Sequence, residues 1–165
     1  LGWGGIAADP KTKHHLATRK NEAYLALCSE LTAADALPGV HGFIVGLMQQ
    51  GIRVGLGSAS KNARLILEKL ELIDLFEVVV DGTRVNKSKP DPEVFLLGAQ
   101  DLNVRPSACV VFEDAQAGIE AALAAGMIAV GVGDPAVLTD ATLVIPGFRG
   151  QTPAALLGQL ASSVS

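Results

Sequence analysis

Residues 108 to 130 read ACVVFEDAQAGIEAALAAGMIAV and contain two strand-like runs and one helical segment. Two short apolar runs, at residues 108–112 and 127–130, flank a segment at residues 116–125 that favours a helix. A helix of this length between two buried strands is typical of a βαβ unit, in which the two strands lie parallel in one sheet. The stretch therefore predicts an α/β fold.

The same alternation extends along the chain in both directions from this unit. The pattern predicts three more strands, at residues 52–56, 77–80 and 142–145. It predicts helices between them at residues 62–72 and 92–102. The strands are apolar on both faces, so we expect a Rossmann-like parallel sheet with helices on both faces.

Two helices are expected before the first strand. Residues 13–31 form an amphipathic pattern, with an apolar face of Tyr24, Leu27, Cys28 and Leu31. A second helix begins at Pro38-Gly39 and ends at Gly51, with a buried stripe of Phe43, Ile44, Leu47 and Met48. The break between the two helices divides the chain into a helical appendage at residues 1–34 and an α/β core at residues 35–165.

Composition and charge exclude several classes of partner. The 165 residues are 49% hydrophobic, which is enough to bury a sizeable core in a soluble globular protein. The formal net charge of −4 gives no basic face for nucleic acid, and no apolar run approaches the length of a membrane span. Cys28 and Cys109 lie in apolar stretches typical of buried thiols. We expect a cytoplasmic monomer without nucleic-acid or membrane partners.

Polar residues follow three of the predicted strands. Ser58 follows the first strand, Lys89 lies in the loop after the second, and Glu113-Asp114 follow the third. Ligands of open parallel sheets bind outside the carboxyl ends of the strands, because helix N-termini and loop amides point there. These residues are therefore the candidates for a binding site.

The stretch GLGSASKN, residues 55–62, has the composition of a phosphate-binding loop. The Ser58 hydroxyl, the loop amides and the following helix can all meet an anion. The alternative interpretation is a helix cap, because Ser60 would cap the next helix in any case. The sequence leaves both interpretations open.

Lys89 lies in NKSKPDPEVF, residues 86–95. Pro90 disfavours the helical conformation for the lysine before it, and Asp91-Pro92 begin the next helix. A lysine with a fixed backbone suits the neutralisation of a transferring phosphate. The alternative is a solvated loop lysine, which is our interpretation of Lys87.

Glu113 and Asp114 are two adjacent carboxylates directly after a buried strand. They repel one another unless a cation lies beside them, and a hard divalent ion such as Mg²⁺ meets that need with oxygen ligands. The alternative is a pair that caps the following helix. We favour the metal site.

Taken in order, Ser58, Lys89-Pro90 and Glu113-Asp114 resemble the later motifs of the haloacid dehalogenase superfamily of Mg²⁺-dependent phosphotransferases. The surrounding SKPDPEVF and FEDAQAGIEAALAAGM carry the same resemblance, which extends from about Arg19 onward. Within that superfamily, SASKN and RKNEAYL are most similar to the β-phosphoglucomutases. The resemblance implies that residues 1–34 are a partial helical cap.

The resemblance also implies a role for each candidate residue. Ser58 and Lys89 would act in catalysis by binding the transferring phosphoryl group, and Glu113 and Asp114 would bind Mg²⁺. The sugar phosphate would be bound by the segment that contains Ser58, Ala59, Ser60, Lys61 and Asn62. Of these residues, the last three would hold the second, non-transferring phosphate. Lys20, in the mobile cap, would contact the sugar.

One motif of the superfamily is absent. Its first motif, a strand that ends in Asp-x-Asp, supplies the nucleophile and the neighbouring acid/base, and neither GGIAADP at residues 4–10 nor VVVDGT at residues 78–83 provides it. In the second stretch Val79 stands where the nucleophile would be, and we interpret Asp81-Gly82 as a turn. The resemblance implies that the missing strand is central in the sheet, so we expect a longer enzyme that has lost its first core strand and the first part of its cap.

The expected function is phosphoryl transfer on a hexose phosphate. The resemblance implies conversion of β-glucose 1-phosphate to glucose 6-phosphate through a bisphosphate, in the intact parent. One alternative is a sugar-phosphate phosphatase of the same superfamily, in which water takes the phosphoryl group. A second alternative is a non-catalytic module that binds phosphosugars.

Overall fold

A computed structural model describes residues 9–163, which fold as an α/β protein. Its five strands are β1 (Gly55–Gly57), β2 (Val78–Val80), β3 (Val110–Glu113), β4 (Ile128–Val132) and β5 (Leu143–Ile145). The stretch at residues 4–8, in which no nucleophile motif was expected, lies outside the described residues.

Six α-helices accompany these strands. They are α1 (Pro10–Glu30), α2 (Val40–Gln49), α3 (Ala63–Lys69), α4 (Glu93–Asp101), α5 (Gln116–Ala124) and α6 (Pro153–Ser163), with 3-10 turns at Ala33–Asp35, Ile73–Leu75 and Pro106–Ala108. Every predicted strand and helix is present within a few residues of its expected position, so the predicted α/β class is confirmed. The sequence pattern did not predict α6. No helix within residues 9–163 is long and apolar enough to cross a membrane.

The strands form two parallel sheets. One sheet pairs β1 with β2, and the other has the order β3-β4-β5. A cavity of about 730 Å³ lies between β1 and β3 and is lined by residues from both strands. The predicted parallel arrangement with helices is confirmed, and it is divided into two sheets because no described segment lies between β1 and β3 to pair with both.

Helices cover both faces of the larger sheet, as the apolar strands predict. Ala129 and Val130, neighbours in β4, are both fully buried but belong to different core clusters. The cluster of Ala129 contains buried residues of α4 and α5, and that of Val130 contains buried residues of α2 and α6. The second cluster includes a group of three rings with centroids 5.2–5.7 Å apart, formed by Phe43, Phe112 and Phe148.

Two predicted apolar faces are more exposed than expected. In α1, Cys28 is only 4% exposed, whereas Tyr24 and Leu27 are 39% and 66% exposed. The helix packs against α3 at the surface, so that this contact buries only part of its circumference. In α2, Phe43 is buried, but Met48 is 43% exposed because it lies at the end of the helix, close to the surface turn.

Both cysteines are free thiols. Cys28 is buried as expected, whereas Cys109 is only partly buried. Burial raises the pKa of the Cys109 thiol above its ordinary value. The thiol is therefore held in its neutral form, which is the unreactive one.

Candidate active site

The carboxyl ends of β1 and β3 are joined through Lys89. The Nζ atom of this lysine donates to Glu113 Oε2 at 2.8 Å and to the carbonyl oxygen of Gly57 at 3.3 Å. Ser58 follows Gly57 directly, so the structure brings together three of the predicted site residues. They lie at the mouth of the cavity that separates the two sheets, because Gly57 and Glu113 both line it.

The Lys89 ammonium group is largely buried. Its side chain is 16% exposed and that of Glu113 is 12% exposed. The ammonium also lies 4.6 Å from the centroid of the Phe95 ring, whose face attracts cations. Lys89 is therefore an oriented charge and not a solvated loop lysine. Lys87, in contrast, is 70% exposed, as its interpretation required, and forms a surface ion pair with Asp91.

The start of α5 leaves room for the Glu113 carboxylate. A Cβ atom at Gly118 would lie 2.1 Å from the Glu113 Cδ atom, so any side chain there would displace the carboxylate. Asp114 is exposed, and the cap of α5 is Ala115, without a side-chain hydrogen bond. The alternative interpretation of Asp114 as a capping residue is therefore wrong.

The two carboxylates suit Mg²⁺ by their chemistry. Both offer oxygen ligands, and Mg²⁺ is commonly bound through one or two carboxylates together with water and substrate phosphate. Within residues 9–163, no group of three or more acidic, histidine or cysteine side chains forms a metal cluster. Glu113 and Asp114 would therefore hold the ion only in combination with other oxygen ligands. In this structure the cation beside Glu113 is Lys89.

The segment at residues 58–62 is held in a curled conformation by its own hydroxyl groups. The Ser58 Oγ atom accepts from the Ser60 amide at 3.1 Å, and the Ser60 Oγ atom accepts from the Asn62 amide at 3.1 Å. The residue that caps α3 is Asn62, so Ser60 is not the helix cap. Each hydroxyl still has its own hydrogen to donate to an anion. Ala59 and Lys61 are exposed.

Lys20 is the one predicted site residue that the structure does not bring to the others. It lies on α1 and is exposed, and no hydrogen bond or ion pair described for residues 9–163 joins it to the segment at residues 58–62. Its contact with a sugar stays a prediction.

The sequence analysis did not identify two residues that support the site. Phe95 provides the ring beside Lys89, and Gly118 provides the space for Glu113. A signal existed for Gly118, because a glycine in a helix costs about 1 kcal/mol relative to alanine and so calls for a packing reason. Phe95 gave no comparable signal, since an aromatic residue at a helical position is ordinary core.

Comparisons with known proteins identify relatives of this chain. A family model described as haloacid dehalogenase-like hydrolase matches residues 6–126. The chain is 46% identical over 133 residues to the β-phosphoglucomutase of Bacillus subtilis, covering 81% of this chain and 59% of the relative. It is 42% identical over 123 residues to a fructose-1-phosphate phosphatase of Escherichia coli, covering 72% of this chain and 62% of the relative.

A solved structure shows the same fold. The β-phosphoglucomutase of Clostridium difficile superposes with a TM-score of 0.89 at 35% identity, covering 94% of this chain and 70% of that one. The chain spans about three fifths of the length of the relatives from Bacillus subtilis and Escherichia coli, with coverages of 59% and 62%.

Proposed function

Because this chain belongs to the haloacid dehalogenase-like hydrolase family, we propose that it forms the larger part of an enzyme that transfers phosphoryl groups on a hexose phosphate. The proposed reaction of the complete protein converts β-glucose 1-phosphate to glucose 6-phosphate through a bisphosphate intermediate. One observation supports the proposal most strongly. The largely buried ammonium group of Lys89 contacts both the Glu113 carboxylate and the carbonyl oxygen of Gly57, the residue before Ser58.

The proposed nucleophile is an aspartate at the end of a strand that fills the cavity between β1 and β3. Its carboxylate oxygen attacks the phosphorus of the bisphosphate, the bond from phosphorus to the sugar oxygen breaks, and an aspartyl phosphate forms. The phosphoryl group then passes to a hydroxyl of the sugar phosphate, which regenerates the carboxylate. The second aspartate of Asp-x-Asp gives a proton to the sugar oxygen released in the first step and takes the proton of the attacking hydroxyl in the second. Lys89 and the Ser58 hydroxyl stabilise the charge on the phosphoryl oxygens during both transfers.

The remaining residues of the segment hold the second phosphate. Lys61 is exposed and supplies a positive charge, and Asn62 and Ser60 add polar groups at the start of α3. Glu113 and Asp114 would hold Mg²⁺, which when bound neutralises negative charge on the transferring phosphoryl group. We place this enzyme in the cytoplasm because Cys28 and Cys109 are free thiols, and we expect it to be a monomer.

A phosphatase is the second candidate. The similarity to the fructose-1-phosphate phosphatase of Escherichia coli favours it. The two reactions share the aspartyl phosphate and differ only in whether water or a sugar hydroxyl accepts the phosphoryl group. The polar set Ser60, Lys61 and Asn62 favours the mutase, because a second phosphate needs partners of its own.

The division of roles is tested with single substitutions in a protein that carries this chain behind a strand ending in Asp-x-Asp. Lys89→Ala should lower kcat by about 100-fold or more, because the lost charge is most valuable in the transition state. Asn62→Ala should mainly raise KM for the sugar phosphate. Lys87→Ala, which removes an exposed lysine two residues away, is the control and should leave both constants unchanged. Equal losses of kcat in the Lys89 and Asn62 variants would contradict the assignment.

Metal binding is tested by calorimetry on the same protein. Asp114→Asn should weaken Mg²⁺ binding by at least about tenfold, because it removes a charged ligand. Asp74→Asn, at an exposed position in a 3-10 turn, is the matched control. Unchanged Mg²⁺ affinity in the Asp114 variant would remove this residue from the site.

A further inference from the structure

The turn that follows β2 contains a buried charge that the proposed reaction does not use. Asp81 is 7% exposed and is the one charged residue classed as buried within the part of the chain that the structure describes. Its Oδ1 atom accepts from the Thr83 hydroxyl at 2.5 Å and from the Thr83 amide at 2.9 Å. Its carbonyl oxygen accepts from the Arg84 amide at 3.0 Å. The turn is therefore closed by several hydrogen bonds on one residue.

The electrostatic surroundings keep this carboxylate ionised. The hydrogen bonds from Thr83 hold the pKa of Asp81 below its ordinary value of 3.8, and the nearby charges of Arg64 and Arg84 act in the same direction. Arg64 lies in the first turn of α3, directly after the segment at residues 58–62.

The turn also touches the backbone of residues 58–62. The Gly82 amide donates to the carbonyl oxygen of Ser60 at 3.1 Å, and two residues earlier the Val80 carbonyl oxygen accepts from the Ser58 amide at 2.8 Å. A Cβ atom at Gly82 would lie 2.2 Å from the carbonyl oxygen of Ala59. The peptide group of Ala59 would have to move about 1 Å away from this Cβ atom to reach an ordinary contact distance.

We propose that Asp81, Gly82 and Thr83 form a positioning turn that sets the conformation of the segment at residues 58–62, and so determines how tightly that segment binds phosphate. The inference rests on the proposed function only where it assigns phosphate binding to this segment. The three residues act through the segment and do not contact the substrate.

The contacts show how a small displacement would reach the binding groups. Ser60 is held by Gly82 through its carbonyl oxygen, and it also donates its amide to the Ser58 hydroxyl. Movement of the Ser60 backbone therefore reorients the Ser58 hydroxyl. The Ser60 hydroxyl in turn accepts from the Asn62 amide, so Asn62 moves as well.

The test measures the affinity of this chain for inorganic phosphate. The affinity is determined by NMR titration at a temperature at which each variant is folded. Gly82→Ala should weaken binding by about tenfold or more, because misplacement of binding groups by about 1 Å has effects of this size. Asp81→Ala should also weaken it, whereas Asp81→Asn should stay close to the unaltered chain because its amide oxygen can still accept from Thr83. Gly46→Ala is the control.

The control separates positioning from a loss of stability. Gly46 lies in α2, away from the segment that binds phosphate. A Cβ atom there would lie 3.1 Å from the Pro153 side chain, so the substitution introduces crowding elsewhere. This variant should keep its phosphate affinity whatever happens to its melting temperature. A general structural role for the turn would change the melting temperature but not the affinity of the molecules that remain folded.

The outcomes distinguish this inference from the proposed function. Phosphate affinity unchanged in folded Gly82→Ala would overturn the inference and leave the proposed function intact. If Gly82→Ala does not fold, unchanged affinity in Asp81→Ala would overturn the inference instead. Absence of phosphate binding in the unaltered chain would overturn the assignment of residues 58–62, and the inference with it.

Discussion

At the scale of residues, the pairing of Lys89 with Glu113 is the contact on which the site depends. Both side chains are largely buried, and their charged atoms are 2.8 Å apart. A buried ion pair gains little net stability, because both charges lose their hydration. Removal of one partner is costly, since it leaves the other charge buried and unpaired. This asymmetry can be measured.

We expect Lys89→Met to lower the free energy of unfolding by about 3 kcal/mol, because it leaves the Glu113 carboxylate without its cation. The double variant Lys89→Met with Glu113→Gln should recover much of that loss, since neither side chain is then charged. Urea unfolding of the two single variants and the double variant measures the coupling. As a control, Lys87→Met removes an exposed pair and should cost about 1 kcal/mol or less. Strictly additive losses from the two substitutions would show that the pair is not coupled.

The contact itself could not be predicted from the sequence, although its neighbourhood could. The rule that the carboxyl ends of parallel strands share one edge placed Lys89 and Glu113 in one site. The two residues are 24 positions apart, however, and nothing in that spacing says which of several polar groups will touch. Gly118 shows the same limit, because its close approach to Glu113 depends on how α5 packs against β3.

At the scale of elements, the strands and helices of the core were predictable because each has a local cause. The apolar runs, the proline at the start of the α4 region and the glycines that end helices all act within a few residues. The helix α6 was missed, although Thr152-Pro153 begins it and the Thr152 hydroxyl accepts from the Ala155 amide at 3.3 Å. Its composition, rich in alanine, glycine and serine, obscured the buried pair of Leu156 and Leu160.

The sequence pattern could not predict which strands pair with each other. A three-residue apolar strand such as β1 has the same pattern whether it lies in the middle of a sheet or at an edge. The division into β1-β2 and β3-β4-β5 is therefore a tertiary property. It follows from what lies between β1 and β3, which no local pattern in either strand encodes.

At the scale of the whole molecule, the two sheets face each other across an apolar cavity. Residues 53–57 and 108–113 line it, and β1 and β3 each pair with a neighbour on the other side only. Neighbouring strands in a sheet lie about 4.8 Å apart, and we propose that one additional parallel strand lies in this cavity and pairs with both edges. The carboxyl end of such a strand would reach the site of Lys89 and Glu113. This is the central claim of the proposed function.

We expect two properties of the chain when it lacks that strand. Residues 1–165 alone should show no mutase turnover, because none of their site residues can form the aspartyl phosphate. They should also unfold at a lower urea concentration than the same residues joined to a strand, because β1 and β3 would leave backbone groups unpaired. A joined strand in which the first aspartate is replaced by asparagine should restore the stability without the turnover.

The most direct measurement is therefore mutase activity, assayed as glucose 6-phosphate formed from β-glucose 1-phosphate in the presence of Mg²⁺. It compares purified residues 1–165, whose mass is confirmed by spectrometry, with the same residues joined to a strand ending in Asp-x-Asp. The account predicts turnover only in the joined protein. Robust turnover by residues 1–165 alone would contradict it, and would require the nucleophile to be sought within this chain, with Asp81 as the first residue to reconsider.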